Sequence, residues 1–449
     1  MRQKKFFGII LIFAAFCITS CGQNVKSGNL QAPPKNIIIM ISDGSGYNQI
    51  EAAGLYQYGQ AGTLPYEQFP VVIAISTYMQ GGSYAPDKAW DSFDYVKTGY
   101  TDSAAAATAM STGVKTSYGI IGLDARKRPQ KHLVERCQES GKTTGIVTSV
   151  QISHSTPAGF VAHNESRNNY AEIANEIFYK SSLDVIMGAG HPLYNDDNQI
   201  ITEPNDWDFK YVGSKETWAD LSSGKLTSAS GEDWVFIQEC SEFLALTQGP
   251  APKKVIGIAQ VKGTLQQACS GDVHADAYAV PLNQNVPTLA EMTKAALNVL
   301  GSNPNGFFLM VEGGAVDWAG HNNQSGRMIE EQVDFNKAVE AVIYWVGANS
   351  NWEETLIIVT ADHETGYLTG PDSEQKDFGP VWNPLVNNGK NNMPQMQWNS
   401  KDHTNALAPF FAQGRGADLF KKVAVNVDSR RGNYIDNTDI AKVIFMMLD

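Results

Sequence analysis

Five short runs of apolar, largely β-branched residues are spread along the chain and alternate with segments of helical pattern. The runs are NIIIMIS (36–42), TTGIVTSV (143–150), LDVIMGAG (183–190), GFFLMVEG (306–313) and TLIIVTAD (355–362). Most of them lack the polar alternation of a half-exposed strand, which is typical of parallel strands covered on both faces. The chain is therefore predicted to form a doubly wound α/β fold, with a mostly parallel central sheet and helices on both faces.

Two stretches interrupt this alternation. Residues 195–285 are rich in turns and tryptophan, and residues 366–402 are rich in Asn, Pro, Gly and Gln. A chain of 449 residues has room for one large α/β domain. We therefore interpret both stretches as insertions into a single domain over residues 35–449.

Residues 1–20 have the layout of an export signal, with a basic start and an apolar stretch too short for a comfortable transmembrane helix. The tetrad ITSC (18–21) resembles a bacterial lipoprotein signal, in which Cys21 becomes the lipidated first residue. Ordinary cleavage nearby is the alternative. Residues 21–34 lack apolar periodicity and are predicted to be a flexible tether. We therefore expect an exported protein, periplasmic or held at a membrane by a lipid on Cys21.

The cysteines fit an exported chain. Cys17 leaves with the signal and Cys21 is acylated, so three remain in the folded body. Cys240 and Cys269 lie in one polar stretch, and an oxidising compartment makes a disulfide between them a reasonable expectation. Cys137 lies in the helical segment KHLVERCQESGK and is expected to be a buried free thiol.

The stretch GYTDSAAAATAMSTGVKT (99–116) predicts a helix that begins at Asp102 and Ser103, ends at Gly113, and carries almost no large side chain. On one interpretation, Asp102 and Ser103 only cap a buried helix. On the other, Ser103 is a nucleophile at the positive end of the helix dipole, where an alkoxide and a phosphoryl group are both stabilised. The helix alone does not decide between them.

Acidic and histidine residues follow four of the predicted strands, at the edge where an open α/β sheet binds its ligands. They are Asp43 after the first strand, His154, Thr156 and Arg167 after the second, Glu312, Asp317 and His321 after the fourth, and Asp362 and His363 after the fifth. A merely polar core does not require this pattern.

Four of these residues are carboxylates, and together they would bring four negative charges into one pocket. Their burial is too costly unless cations neutralise them, so the sequence predicts bound divalent metals. Mixed nitrogen and oxygen ligands favour zinc, and oxygen-rich sets favour magnesium. The resulting positive pocket would suit a phosphate dianion. The net charge of −13 argues against specific nucleic-acid binding.

These motifs together resemble the alkaline phosphatase family over nearly all of the chain after the signal. In the family's order they are DGSG (43–46), TDSAAAATAMSTGVKT (101–116), STPAGFVAHNESR (155–167), VEGGAVDWAGH (311–321), TADHETG (360–366) and KDHTNA (401–406). The resemblance implies hydrolysis of small phosphate monoesters, with Ser103 as the nucleophile that becomes phosphorylated and Arg167 holding two phosphate oxygens. Asp102 and Trp318 also match positions at the substrate.

The same resemblance implies two zinc ions and one magnesium ion per chain, and a homodimer. Asp317, His321 and His403 match the ligands of one zinc; Asp43, Asp362 and His363 match those of the other; Asp43, Thr156 and Glu312 match the magnesium site, with His154 beside it.

Two positions depart from the enterobacterial pattern of the family. His154 stands where that type has Asp, and animal-type members of the family also have histidine there. Trp318 stands where the enterobacterial type has Lys. Two alternatives to a phosphomonoesterase are considered. One is a phosphodiesterase or sulfatase of the same superfamily, and the other is a non-catalytic exported metal-binding lipoprotein. The chain has no sulfatase-like Cys-x-Pro-x-Arg motif, and Arg167 favours a terminal phosphate.

Overall fold

The structure, a computed structural model, describes residues 32–449. The predicted signal (1–20), the lipidation site Cys21 and nearly all of the tether (21–34) therefore lie outside the described residues. Within 32–449, none of the helices is both long enough and apolar enough to cross a membrane.

The strands and helices follow one another in a regular β/α alternation over much of the chain. The strands are β1 (Asn36–Ser42), β2 (Val71–Ser76), β3 (Thr143–Gln151), β4 (Val185–Ala189), β5 (Val235–Ile237), β6 (Val255–Ile258), β7 (Phe307–Gly313), β8 (Thr355–Thr360), β9 (Glu364–Thr365), β10 (Leu368–Thr369), β11 (Glu374–Lys376), β12 (Gly379–Val381), β13 (Gln397–Trp398), β14 (His403–Thr404), β15 (Ala408–Gly414), β16 (Asn426–Asp428) and β17 (Gly432–Asp436). The α-helices are α1 (Tyr47–Tyr58), α2 (Pro86–Asp91), α3 (Ser103–Thr112), α4 (Leu133–Glu139), α5 (Ser155–Gly159), α6 (Tyr170–Tyr179), α7 (Lys215–Ser222), α8 (Cys240–Ala245), α9 (Leu289–Leu300), α10 (Ala315–His321), α11 (Ser325–Asn349), α12 (Asp418–Val423) and α13 (Thr438–Leu448).

Eleven strands form the central sheet, in the order β16-β17-β2-β15-β8-β1-β7-β3-β4-β6-β5. The neighbours from β8 to β5 are all parallel, whereas β15 and β16 run against the strands beside them. The predicted doubly wound, mostly parallel α/β fold is confirmed, and all five predicted strands are present.

Two apolar cores enclose the sheet, one on each face. Ile37, Ile39 and Ile41 of β1 pack into the core that includes α3 to α6 and α13. Ile38 and Met40 pack into the opposite core with α9 and α11. Because successive side chains of a strand point to opposite faces, a strand covered twice must be apolar throughout. This explains the unbroken apolar runs in the sequence.

The two interrupting stretches differ in their relation to the sheet. Residues 195–285 supply β5 and β6, which extend one edge of the central sheet. Residues 366–402 form two small antiparallel pairs, β10 with β13 and β11 with β12. The first stretch is thus partly integral to the sheet, a role that its turn-rich composition conceals.

The predicted disulfide between Cys240 and Cys269 is not present in the structure, so this prediction is wrong. Cys240 and Cys269 are both free. Cys269 is buried and accepts a hydrogen bond from Arg327 Nη1 at 2.8 Å, while Cys240 begins α8 and is half-buried. Proximity in the sequence and an oxidising compartment do not bring two thiols into bonding geometry. Cys137 is a buried free thiol, as predicted.

Candidate active site

The site lies at the carboxyl edge of four adjacent strands, β8, β1, β7 and β3. Their registers align closely, because Ile41 of β1 lies beside both Glu312 of β7 and Thr360 of β8. Glu312 in turn lies beside Thr148 of β3. Residues that follow these strands therefore meet at one edge of the sheet, as expected for an open α/β fold.

Helix α3 presents Ser103 to this edge. Asp102 is the N-cap, since its Oδ1 accepts a hydrogen bond from the Ala105 backbone N–H at 3.2 Å. Ser103 Oγ is buried and lies 3.3 Å from His363 Nε2. Asp102 therefore has the capping role that the first interpretation gave to both residues. Ser103 instead faces the strand ends, as the second interpretation requires.

The small side chains of α3 have a packing reason. The helix is buried along its whole length and packs against α5 and α13. A Cβ on Gly159 of α5 would lie 2.6 Å from the Cβ of Ala107, so neither helix tolerates a larger side chain at this crossing. Close packing of α3 and α5 keeps Ser103 near the residues that follow β3.

Arg167 is held at the start of the same helix. Its Nη1 donates to Asp102 Oδ2 at 2.9 Å, and the Gly119 backbone N–H also donates to this carboxylate. Burial opposes the charge of Arg167, but Asp102 raises the pKa of the guanidinium. Asp102 therefore caps α3 and positions the arginine next to Ser103.

The first ligand group surrounds His363. The group contains Asp43, Asp362 and His363, with one possible ligand atom from each within 4.8 Å of the others. His363 Nε2 lies 3.2 Å from Asp362 Oδ2 and 3.6 Å from Asp43 Oδ1. Gly44, at φ +74°, allows the turn after β1, where a Cβ would lie 2.6 Å from the Asp317 Cα.

The second ligand group adjoins the first. Asp317 Oδ1 lies 3.3 Å from His403 Nε2 and 3.5 Å from His321 Nε2. The His321 and His403 Nε2 atoms are 3.0 Å apart, and the His403 ring stacks on that of His363 at 3.6 Å between centroids. His321 is the most accessible of these residues, with its side chain 37% exposed.

The third ligand group combines Asp43 with Glu312 and His154. The Thr156 hydroxyl donates to Asp43 Oδ2 at 3.3 Å, and Thr148 Oγ1 donates to Glu312 Oε2. Asp43 belongs to the first and third groups, and His403 of the second group stacks on His363 of the first, so the three groups form one continuous site. The structure brings together every site residue that the sequence analysis named.

Four buried ligand atoms in this site have no hydrogen-bond partner among residues 32–449. They are Asp43 Oδ1, Asp362 Oδ2, Glu312 Oε1 and His154 Nδ1. An unpaired buried polar atom costs roughly 1–3 kcal/mol, and more when it is charged. A set of convergent, unsatisfied oxygen and nitrogen atoms fits divalent cations.

The electrostatics point the same way. Burial, reinforced by the neighbouring carboxylates, raises the pKa of Asp43 well above its usual value. Burial also raises the pKa of Glu312 to about 7 and that of Asp362 to about 6. For Asp317, burial is opposed and outweighed by three histidines, which hold the pKa of this carboxyl below its usual range. The site therefore does not hold all its carboxylates ionised at neutral pH without added positive charge.

Sequence analysis missed the residues that orient these ligands. The Thr365 hydroxyl donates to Asp317 Oδ1 at 2.5 Å and lies 3.3 Å from His363 Nδ1. Backbone carbonyls accept from two other histidines, Thr101 O at 2.8 Å from His403 Nδ1 and Lys401 O at 2.5 Å from His321 Nδ1. Such partners fix the imidazole tautomer, as is usual around metal-binding histidines. The antiparallel pairing of β9 with β14 places Thr365 beside His403, a contact between distant segments that no local sequence pattern predicts.

A cleft of about 380 Å³ opens onto the site. Its lining includes Arg167, Asp317, Trp318, His154 and Tyr118. The Trp318 ring meets that of His154 edge-on, with centroids 5.6 Å apart. The two residues that depart from the enterobacterial pattern are therefore in contact at the mouth of the site.

Fold and site define the class of protein: an α/β enzyme with a buried serine beside an arginine and a histidine–carboxylate centre. The alkaline phosphatase family profile matches residues 34–406. Alkaline phosphatase 4 of Bacillus subtilis is 28% identical over 477 residues, covering 93% of this chain and 89% of that protein. An alkaline phosphatase of Escherichia fergusonii is 32% identical over 364 residues, covering 76% and 72% respectively.

Solved structures agree with the sequence relatives. The cold-active alkaline phosphatase from the psychrophile Shewanella sp. is similar with a TM-score of 0.66 at 25% identity, covering 92% of this chain and 100% of that one. The chain belongs to the alkaline phosphatase family. This membership supports a hydrolase of the phosphatase class and suggests metal cofactors.

Proposed function

We propose that this protein is an alkaline phosphatase that hydrolyses phosphate monoesters through a phosphoserine on Ser103. The observation that carries the proposal is the position of Ser103 Oγ, buried at the start of α3 and 3.3 Å from His363 Nε2. Arg167 is anchored to the same helix start through Asp102. A nucleophile, a phosphate-binding cation and a ligand centre thus converge on one point.

We further propose two zinc ions and one magnesium ion as resident cofactors. One zinc would be held by Asp317, His321 and His403, the other by Asp43, Asp362 and His363, and magnesium by Asp43, Thr156 and Glu312 with His154 beside it. The unpaired ligand atoms and raised carboxyl pKa values support this assignment. When bound, these ions would supply Lewis-acid charge that favours the serine alkoxide and the departing oxygen.

The residues of the chain account for two successive displacements at phosphorus. In the first, Ser103 Oγ gives up its proton, forms a bond to phosphorus, and the ester oxygen leaves as the alcohol after gaining a proton. In the second, a water molecule gives up a proton as its oxygen bonds to phosphorus, the bond to Oγ breaks, Oγ regains a proton, and inorganic phosphate departs. Arg167 offers a planar fork to two phosphate oxygens throughout, which a lysine would not reproduce.

Monoesters should be preferred over diesters, because a second ester group occupies an oxygen that Arg167 and the cations need. We expect kcat/KM for phenyl phosphate to exceed that for the matching diphenyl diester by about 10²-fold or more. Assay of the purified protein with added zinc and magnesium measures both values. In the control variant Arg167→Lys, the ratio of kcat/KM for the monoester to kcat/KM for the diester should be smaller than in the wild type. Equal values in the wild type would favour the phosphodiesterase alternative, and no turnover would favour a non-catalytic metal-binding protein.

Added magnesium should activate the wild-type enzyme. Burial, assisted by the charge of Arg167, lowers the pKa of His154 to about 3, so its imidazole is neutral and brings no negative charge to Asp43 and Glu312. His154→Asp should therefore lower the magnesium concentration for half-activation by roughly tenfold. His154→Asn, which adds no charge, is the matched control. If the Asp and Asn variants gave identical magnesium titrations, the charge at position 154 would not control magnesium binding, which would contradict the prediction.

Phosphate should inhibit this enzyme weakly, because Trp318 offers no cation to the bound product. Trp318→Lys is expected to lower the inhibition constant for inorganic phosphate by roughly fivefold, whereas Trp318→Gln should not. Steady-state inhibition at fixed metal concentrations measures the change. Because the Trp318 and His154 rings are in contact, the effects of the two substitutions should not add in a double variant. An unchanged constant in the lysine variant would remove Trp318 from the phosphate site.

The residues that bear on the cellular location lie mostly outside the described part of the chain. We propose export, with a lipid on Cys21 holding the protein at a membrane and the tether of residues 21–34 spacing the enzyme from it. The proposed partners are small phosphomonoester substrates and a second copy of the chain. Specific nucleic-acid binding is not part of the proposal, given the net charge of −13.

A further inference from the structure

A second cluster of metal-ligating side chains lies apart from the strand-end site. His132 precedes α4, Glu135 is in the first turn of that helix, and His163 lies in the loop after α5. One ligand atom from each of the three falls within 4.8 Å of the others. Glu176 of α6 also approaches His163, with Oε1 3.4 Å from Nδ1.

His132 is an unusual buried histidine. Its side chain is 0% exposed, and neither ring nitrogen has a hydrogen-bond partner among residues 32–449. Nδ1 lies 3.3 Å from Glu135 Oε2, but that oxygen already accepts the His132 backbone N–H at 2.8 Å. A buried polar group with no partner is rare in folded proteins and calls for an explanation.

The hydrogen bonds of His163 identify its free ring nitrogen. Nε2 lies 2.9 Å from the Gln130 carbonyl oxygen, which can only accept, so Nε2 carries the hydrogen. In the neutral imidazole, the Nδ1 lone pair then faces Glu176 Oε1. Two acceptors that face each other require a proton or a cation between them. A histidine that donates its second N–H to a backbone carbonyl is typical of metal ligands.

We propose that His132, His163 and Glu135 bind a zinc ion through Nδ1 of each histidine and one carboxylate oxygen, with Glu176 as the fourth ligand. Two imidazoles and two carboxylates match the mixed donors of tetrahedral zinc. The ion has a route of entry, since the Glu135 side chain is 45% exposed. None of these four residues belongs to the three ligand groups of the active site, so this zinc is additional to the catalytic metals.

The zinc would have a structural role. It joins the start of α4 to the loop between α5 and α6, and that loop carries Arg167 four residues after His163. The same loop is already tied to residues 119–121, because the Arg167 backbone N–H donates to Gly119 O at 2.7 Å and Asn164 pairs with Ile121. A bound ion would add a second tie to the segment that positions the phosphate-binding arginine.

The direct test is anomalous diffraction at the zinc edge from crystals of the full protein equilibrated with Zn²⁺ alone. We expect a peak between His132 and His163, at about 2.0–2.1 Å from a ring nitrogen of each. Peaks in the active site without a peak at this position would overturn the proposal, because they would show that enough zinc was present to fill a real site. In that case a proton, and not a metal ion, would lie between each histidine and its carboxylate, His132 with Glu135 and His163 with Glu176.

Metal counting provides a second test in solution. The purified protein is saturated with Zn²⁺ at pH 8, freed of unbound metal and analysed by mass spectrometry. His163→Asn and Glu176→Gln should each bind one zinc fewer per chain than the wild type, and exposed His274→Asn should bind the same number. His132→Ala is the more drastic variant and is not required if it fails to fold. Equal zinc contents in all variants would refute the site.

Discussion

Ser103→Ala is expected to abolish the phosphoenzyme and to reduce kcat by at least about 10³-fold. The substitution leaves Arg167 and all the metal-ligating residues in place but removes the serine oxygen that we propose forms the covalent intermediate. Residual turnover by direct attack of water on the phosphomonoester is compatible with this expectation. Rapid acid quench of the enzyme with radiolabelled monoester measures the phosphoserine, and steady-state assays measure the loss of kcat.

The variant should fold normally, which separates catalysis from stability. Asp102 supplies the helix cap, so Ser103 is not needed for that hydrogen bond, and alanine is a good helix former. Ser111→Ala is the matched control, because Ser111 is buried in the same helix and hydrogen-bonds the Gly159 carbonyl far from the ligand groups. It should retain wild-type kcat. Wild-type turnover in Ser103→Ala would mean that the serine has only a structural role.

Removal of metal by a strong chelator is expected to abolish activity and lower the melting temperature together. Without cations, the carboxylates of Asp43, Glu312, Asp317 and Asp362 face one another in a buried pocket. Loss of bound ligand from the native state also lowers stability by mass action. Calorimetry and activity assays on the same samples measure both effects. Zinc with magnesium should restore both, and an unchanged melting temperature in a verified metal-free sample would contradict the charge argument.

The destabilisation should depend on pH in a defined direction. Because the pKa values of Asp43, Glu312 and Asp362 are raised, these three carboxyls bind more protons in the metal-free folded state than in the unfolded chain. Their contribution to the stability of metal-free protein should therefore fall as pH rises from about 4, the usual carboxyl value, through about 7. The gap in melting temperature between metal-loaded and metal-free protein should be wider at pH 8 than at pH 5. Glu176→Gln, compared in parallel, isolates any share that comes from the proposed structural zinc.

Local patterns in the sequence were sufficient to predict the fold class and the neighbourhood of the site. The apolar runs identified β1, β3, β4, β7 and β8, because a strand buried on both faces cannot contain many polar residues. The carboxylates and histidines at strand ends could be located in the same way, since parallel strands present their carboxyl ends along one edge. The short strands β5 and β6 lie in a turn-rich stretch with weak local signals, so the sequence alone assigns them to an insertion.

Contacts between distant parts of the chain were decided only by the tertiary structure. It separated the roles of Asp102 and Ser103, because Ser103 Oγ meets a histidine 260 residues away. It likewise left Cys269 beside Arg327 rather than bonded to Cys240, and it brought His132 next to His163. Each of these pairings depends on strand register and helix packing over the whole domain. A local sequence pattern contains the chemical groups, but only the packed chain sets the few ångströms between them.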